Sequence, residues 1–206
     1  PEENLLGLLT LTYVPNYFDI LPMYLVILAM IPVMVALANV HVGLAVLASL
    51  SLWLSANVLG WNFPAEPWSD RQWFFNPLGW QLIFFTGFAL MAGWIPAPPV
   101  DRRLFWGAVA IVLIILPVAY FRIHREVAIF ADIRGQIGFL ITKTDFGALR
   151  YVHFLATAYI AWVLVGPKGA NIMPSGSGRI LSVIWSYILA AIMKVGQQSL
   201  AVFITS

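Results

Sequence analysis

Lys143-Thr144-Asp145-Phe146-Gly147-Ala148-Leu149-Arg150-Tyr151-Val152-His153 is the stretch where a polar segment turns into a long apolar run. Arg150 and His153 sit inside that run, three residues apart, which on a helix puts them on one face. A guanidinium and an imidazole facing lipid are costly, so they point into protein or a wet cavity. If the run from Ala148 to Val165 is a bilayer span, the rest of the chain has to be read as membrane protein too.

Composition agrees. The chain is 61% hydrophobic and 10% charged, with a mean hydropathy of +0.88. A soluble domain carries about 25% charged residues, so this one lacks the charge to cover a water-facing surface. Net charge is +2, and the pI of 9.1 reflects few ionisable groups, not a basic patch. Nucleic-acid binding has no support. There are no cysteines, hence neither disulfides nor thiolate chemistry. The chain starts Pro1-Glu2-Glu3 and stops inside the apolar run Leu200-Ala201-Val202-Phe203-Ile204. Both ends read as cut from a longer protein, with residues 1–206 forming a single transmembrane domain truncated on both sides.

A spanning helix needs roughly 17–25 mostly apolar residues. That criterion predicts an all-α, polytopic transmembrane helical bundle with six to seven spans. They run Ile20–Ala38, Val42–Leu59, Leu78–Ile95, Leu104–Phe121, Ala148–Val165 and Ile180–Val195, with a last one starting near Ser199. Period-2 alternation does not recur, which argues against a barrel. Pro22 suits the first turn of the first span, with Asp19 just ahead of it as an acidic helix start. His41 reads as a solvated residue of a very short turn. Pro32 and Pro117 fall inside spans, where kinks are expected.

The connections carry the polar residues. Gly60 to Asn76 is rich in Trp and Pro, including Trp61, Trp68 and Trp73. Clustered Trp reads first as an interfacial belt, and second as a platform for sugar rings. Gln81, just inside the third span, needs a partner in a dry setting and is a candidate cavity-lining residue. Asp101-Arg102-Arg103 reads as a positive-inside orientation signal. Residues 122–147 read as an amphipathic or re-entrant connection, with Ile129, Ile133, Ile137 and Leu140 near one face and Arg125, Asp132, Arg134 and Gln136 elsewhere. Gly135 and Gly138 argue against one long helix there. Asp145 reads as a cap of the fifth span or a site residue, and Arg150 as able to snorkel.

Counting spans puts Asp19, the Trp-rich connection, Asn76, Gln81, Lys143, Arg150, His153 and Gln197-Gln198-Ser199 on one side of the membrane. Asp101-Arg102-Arg103, Lys168 and Arg179 fall on the other. Polar groups from at least four helix ends thus converge on one face, which is the sequence argument for a site. The polar face carries more Lys and Arg in total, which would make it cytoplasmic, whereas the Arg pair in the short loop, the signal the positive-inside rule weighs most, favours that face outside.

Tyr17-Phe18-Asp19-Ile20-Leu21-Pro22-Met23-Tyr24, Trp73-Phe74-Phe75-Asn76-Pro77-Leu78-Gly79-Trp80-Gln81, Lys143-Thr144-Asp145, Leu149-Arg150-Tyr151-Val152-His153 and Gly196-Gln197-Gln198-Ser199-Leu200 resemble the OpgC family. The resemblance covers nearly the whole chain in order. It implies a bacterial inner-membrane, multi-pass protein related to the membrane acyltransferase-3 group and implicated in succinylating osmoregulated periplasmic glucans. Several members carry His where Gln198 stands, which argues against a catalytic imidazole there. The resemblance also implies an earlier section with a catalytic His, so that this chain is the C-terminal part of the enzyme and inactive alone.

The implied reaction is acyl transfer from an acyl-CoA donor, succinyl-CoA, to a glucan hydroxyl, with no cofactor or metal. His153 is the candidate acid–base residue or a second partner to one, and Asp19 or Asp145 would orient an imidazole or a sugar hydroxyl. Arg150 and Lys143 would hold the succinyl carboxylate. Gln81, Asn76, Trp73, Gln197, Gln198 and Ser199 complete the expected substrate contacts. The expected partners are the acyl-CoA, the glucan and the bilayer. A transporter or flippase for an acyl group or glycan is the competing class, since polar residues at one face also suit a vestibule. A purely structural bundle is the third.

Overall fold

A computed structural model of the chain describes Gly7, Tyr13, Val14 and residues 19–173 and 179–198. Among these the architecture is helical, and the nearest approach to a strand is an isolated antiparallel bridge between Pro64 and Gln72. Eight α-helices follow in order: α1 Ile20–Val40, α2 Val42–Leu59, α3 Pro77–Met91, α4 Arg102–Ala119, α5 Phe121–Glu126, α6 Ala128–Gln136, α7 Ala148–Val165 and α8 Arg179–Gln197. The chain divides into two compact units, Pro1–Thr157 and Ala158–Ser206.

Among the described residues, four helices, α1, α2, α4 and α7, meet a length and hydropathy criterion for crossing a membrane. That number does not confirm the six to seven spans expected from hydropathy. α3 has 15 residues, about 22 Å at 1.5 Å per residue, against a hydrocarbon core of roughly 30 Å. It stops at Met91 because Gly93 takes a left-handed φ of 71°. The chain then turns back, and the Trp94 N–H bonds the Ala89 carbonyl. α8 has 19 residues, about 28 Å, close to the length of a span. A seventh span near Ser199 lies outside the described residues.

Local chemistry sets most boundaries. α1 and α2 are separated by His41 alone, in extended conformation, whose Nδ1 accepts the Gly43 N–H at 3.0 Å. α2 ends at Gly60, φ 67°. Asn76 caps α3 with its side-chain oxygen on the Leu78 N–H, and Pro77 takes the first turn, where a missing N–H is harmless. Asp101 caps α4 by accepting the Arg103 and Leu104 N–H groups at 2.7 and 3.0 Å. This helix therefore begins two residues before the expected Leu104, and ends at Ala119 because Tyr120 is extended.

α1, α2 and α3 pack against one another. α2 buries the small side chains of Ala45, Ser49, Ser55 and Ala56, and α3 buries Gln81, Leu82, Phe85 and Ala89. Small residues let helix backbones approach closely where lipid supplies no hydrophobic drive to associate. Met23, Ile27 and Met34 of α1 meet Phe85 in the core. Outward-facing leucines and valines such as Leu25, Val33, Leu47 and Val58 are exposed, as fits helices whose solvent is lipid. α4, α5 and α6 form a second packed group. The connection expected over residues 122–147 is thus two short helices and a 3₁₀ turn at Gly138–Leu140, broken at Val127 and Ile137.

Candidate functional site

The expected site residues of the first unit separate into a buried clasp and a cationic cavity. The clasp begins at Asn76, which is fully buried. Its amide nitrogen donates to the Trp61 carbonyl at 2.7 Å and to Asp145 Oδ1 at 2.9 Å. Its backbone N–H donates to the Thr144 carbonyl at 3.0 Å. Asn57 Nδ2 donates to the Asp145 carbonyl at 2.8 Å, Trp53 Nε1 to the Phe146 carbonyl at 2.9 Å, and Trp80 Nε1 to the Lys143 carbonyl at 2.9 Å. Thus α2, α3 and its cap grip four consecutive residues, 143–146, three of them through side chains and Thr144 through the Asn76 backbone.

The grip needs close approach. A Cβ on Gly79 would fall on the Asp145 backbone, and one on Gly147 would fall on Leu140. Phe146 carries a φ of 53°, uncommon for a bulky residue. It is buried with its ring centroid 4.6 Å from that of Trp80.

Asp19, Gln81 and Trp73 serve neighbouring joints. Asp19 is buried, and its Oδ2 accepts the Phe74 N–H at 2.6 Å. It stands at the N-cap position of α1, as the helix-start reading expects, but its side chain makes a long-range tie rather than a cap hydrogen bond. Its Oδ1 is buried without a hydrogen-bond partner. Gln81 Oε1 accepts the Ser49 hydroxyl at 2.7 Å, and its Nε2 donates to the Ser49 and Leu78 carbonyls at 2.8 and 3.0 Å. That amide joins α2 to α3 inside the packed core. Trp73 is buried, with Nε1 donating to the Pro64 carbonyl at 3.0 Å. Of the three tryptophans suggested for a sugar platform, Trp61 and Trp68 are exposed and Trp73 is not.

Arg71 and Glu66 brace the same loop through a 3.1 Å ion pair. Arg71 also donates to the Val14 carbonyl. The Arg71 hydrogen bond, followed by that from Ser69, holds the Glu66 carboxyl below the usual carboxylate range.

The cavity lies beside α7. It has a volume of about 560 Å³, and its polar wall is Arg134, Lys143, Arg150, His153 and Tyr120. Arg150 donates to the Ile141 and Thr142 carbonyls at 3.0 and 3.3 Å, which satisfies part of a half-buried guanidinium. His153 stands on the same wall, as the three-residue spacing from Arg150 predicts. Lys143 faces the cavity while its carbonyl serves the clasp, so residue 143 is where the two groups meet. Asp19, Asp145, Asn76, Gln81 and Trp73 are not in the cavity wall. The single hollow expected from span counting is two adjoining assemblies.

Arg134 escaped the sequence reading. Ile133 and Ile137 line the same cavity, and a long Arg side chain beside such a stripe can wrap onto its face. That adjacency was the available signal. Gln197 ends α8 and Gln198 follows it, both in the second unit, and Ser199 is outside the described residues.

No curated protein and no solved structure matches the chain. The family model for the OpgC protein matches residues 1–206, and the chain belongs to the OpgC family.

Proposed function

We propose that this OpgC-family chain is part of a membrane O-acyltransferase that moves a succinyl group from succinyl-CoA to a hydroxyl of periplasmic glucan at the bacterial inner membrane. In this reading the short helix α3 and the longer α8 also cross, which brings the count to six, with a seventh beginning near Ser199. The polar face is outside.

The hydroxyl oxygen of the glucan attacks the thioester carbonyl carbon. A C–O ester bond forms, the C–S bond breaks, and the CoA thiolate leaves and takes up a proton. An imidazole suits removal of the hydroxyl proton, and His153 lies in the cavity wall. Arg150 and Lys143 bind the succinyl carboxylate or the developing oxyanion. Asp19 and Asp145 hold the frame rather than touch the reacting atoms, since each spends an oxygen on α3 or the residues leading into it. Exposed Trp61 and Trp68 are the remaining tryptophans for the glucan approach. The catalytic histidine implied for an earlier section of the enzyme would act with this face, and the chain alone is then inactive.

Family membership is the observation that carries this reading. Its test is succinate incorporation into glucan by the intact enzyme. Removal of an acid–base residue typically costs 10²–10⁴-fold, so His153→Ala should fall by about a hundredfold or more, and Arg150→Ala should raise KM for succinyl-CoA. Near-normal incorporation by well-folded variants removes both from the site. Purified intact protein that moves glycan or acyl groups across vesicles but never transfers from succinyl-CoA would favour the transporter class.

A further inference from the structure

The cavity beside α7 holds three cations, Arg134, Lys143 and Arg150, and no carboxylate among the described residues shares its wall. Each guanidinium commits part of its donor set to backbone. Arg134 donates to the Val118 carbonyl at 2.8 Å, and Arg150 to the Ile141 and Thr142 carbonyls. A guanidinium has five N–H donors, so both forks keep donors to spare. The carbonyls fix where the forks stand without neutralising them. Arg134 lies near enough for its charge to act on Arg150. Two like charges beside an apolar wall are unfavourable until an anion joins them. Apart from His153 and Tyr120, the rest of the wall is that apolar surface, including Ile114, Ile115 and Val118 from α4 and Ile133 and Ile137 around α6.

We infer that this cavity binds an anionic amphiphile, a molecule with one carboxylate or phosphate head and an apolar stem, and that Arg134 is the third residue holding its head. The forks take the head, and the stem lies along the isoleucines. For Arg150 and Lys143 this rests on the functional reading above. Arg134 and the need for a stem go beyond it. The same chemistry describes an acyl chain ending in a carboxylate and a membrane lipid with a phosphate head.

The test is calorimetric titration of the intact protein in uncharged maltoside micelles with hexyl phosphate, inorganic phosphate and hexanol. A buried methylene is worth roughly fourfold in affinity, so hexyl phosphate should bind at least about tenfold tighter than inorganic phosphate. Hexanol, which lacks the head, should bind weakest. Arg134→Gln should weaken hexyl phosphate about tenfold or more, and Arg134→Lys should recover part, because the charge returns without the fork. Raising salt should weaken hexyl phosphate and leave hexanol unchanged in the unaltered protein, a readout that does not depend on any variant folding. Hexanol binding as tightly as hexyl phosphate, or both Arg134 variants binding as the parent does, overturns the inference.

Competition by phosphatidylglycerol nanodiscs assigns the head to a lipid, and competition by succinyl-CoA assigns it to an acyl donor. Either supports the site. Succinyl transfer without hexyl phosphate binding removes this site and keeps the proposed function. Arg134-dependent binding in an enzyme that never transfers succinate does the reverse.

Discussion

At the scale of single residues, Asn76 does the most with the fewest atoms. One amide caps α3, binds the Trp61 carbonyl and binds the Asp145 carboxylate. Losing the cap costs about 1 kcal/mol, and losing a hydrogen bond to a charged group costs about 1.5–3 kcal/mol. Asn76→Ala should therefore destabilise the folded protein by about 2–4 kcal/mol in detergent unfolding. Asn76→Asp keeps a capping oxygen but sets a carboxylate against Asp145 and has no donor for Trp61. It should be at least as damaging as alanine at neutral pH, and an Asp variant with parent stability would mean that the donor side of the amide is idle. Glu66 gives a pH-dependent counterpart. Its folded pKa is lowered by the Arg71 and Ser69 hydrogen bonds, so its contribution is fully present above the ordinary carboxylate value and is lost as pH falls through the folded value. The protection of the Ala65 amide, which bonds the Arg71 carbonyl at 2.7 Å, should fall on acidification through that window when its exchange is taken relative to the intrinsic rate at each pH. Glu66→Gln should flatten the response.

Among the elements, α3 holds two glycines with opposite surroundings. A methyl on Gly79 meets the Asp145 backbone, whereas one on Gly87 meets nothing within 4 Å. Overpacking against backbone costs typically 1–3 kcal/mol, while an alanine for an unconstrained helical glycine gains up to about 1 kcal/mol. Gly79→Ala should thus lower the unfolding midpoint in detergent and Gly87→Ala should hold or raise it. Equal effects would show that α3 does not need its close seat on residue 145. The elements also show what could be read from the chain. α2 and α7 match their expected bounds, because long apolar runs between polar ends decide both. α3 falls short because Gly93 turns the chain while Trp94 and Ile95 keep the hydropathy high. The clasp was legible only as its separate members. Asn76 and Asp145 each stood out, but their pairing spans 69 residues, and periodicity carries no information about such a contact. Arg134 was hidden for a related reason: a flexible side chain reaches a face that its Cβ position does not predict.

For the molecule as a whole, the open question of membrane topology turns on α3. It packs along both α1 and α2, each long enough to span, and it buries Gln81 against Ser49 where that pairing spares two polar groups from lipid. A helix about 22 Å long in a core of roughly 30 Å is mismatched, but local thinning and tilting neighbours absorb mismatch at a fraction of a kcal/mol per Å. Leaving the Gln81–Ser49 pair would cost more than part of that, since interhelical hydrogen bonds in membranes are worth about 0.6 to 2 kcal/mol. α3 should therefore cross with its partners. The chain has no native cysteine, so single cysteines report without background. Trp68→Cys precedes α3 and Val100→Cys follows it, and both parent side chains are exposed. In intact cells an impermeant maleimide should label Trp68→Cys and leave Val100→Cys unmodified until the membrane is opened. Labelling of both from outside would make α3 a re-entrant piece and reduce the span count by one. Labelling of Val100→Cys alone would keep the crossing but invert the chain, and the cavity would then face the cytoplasm.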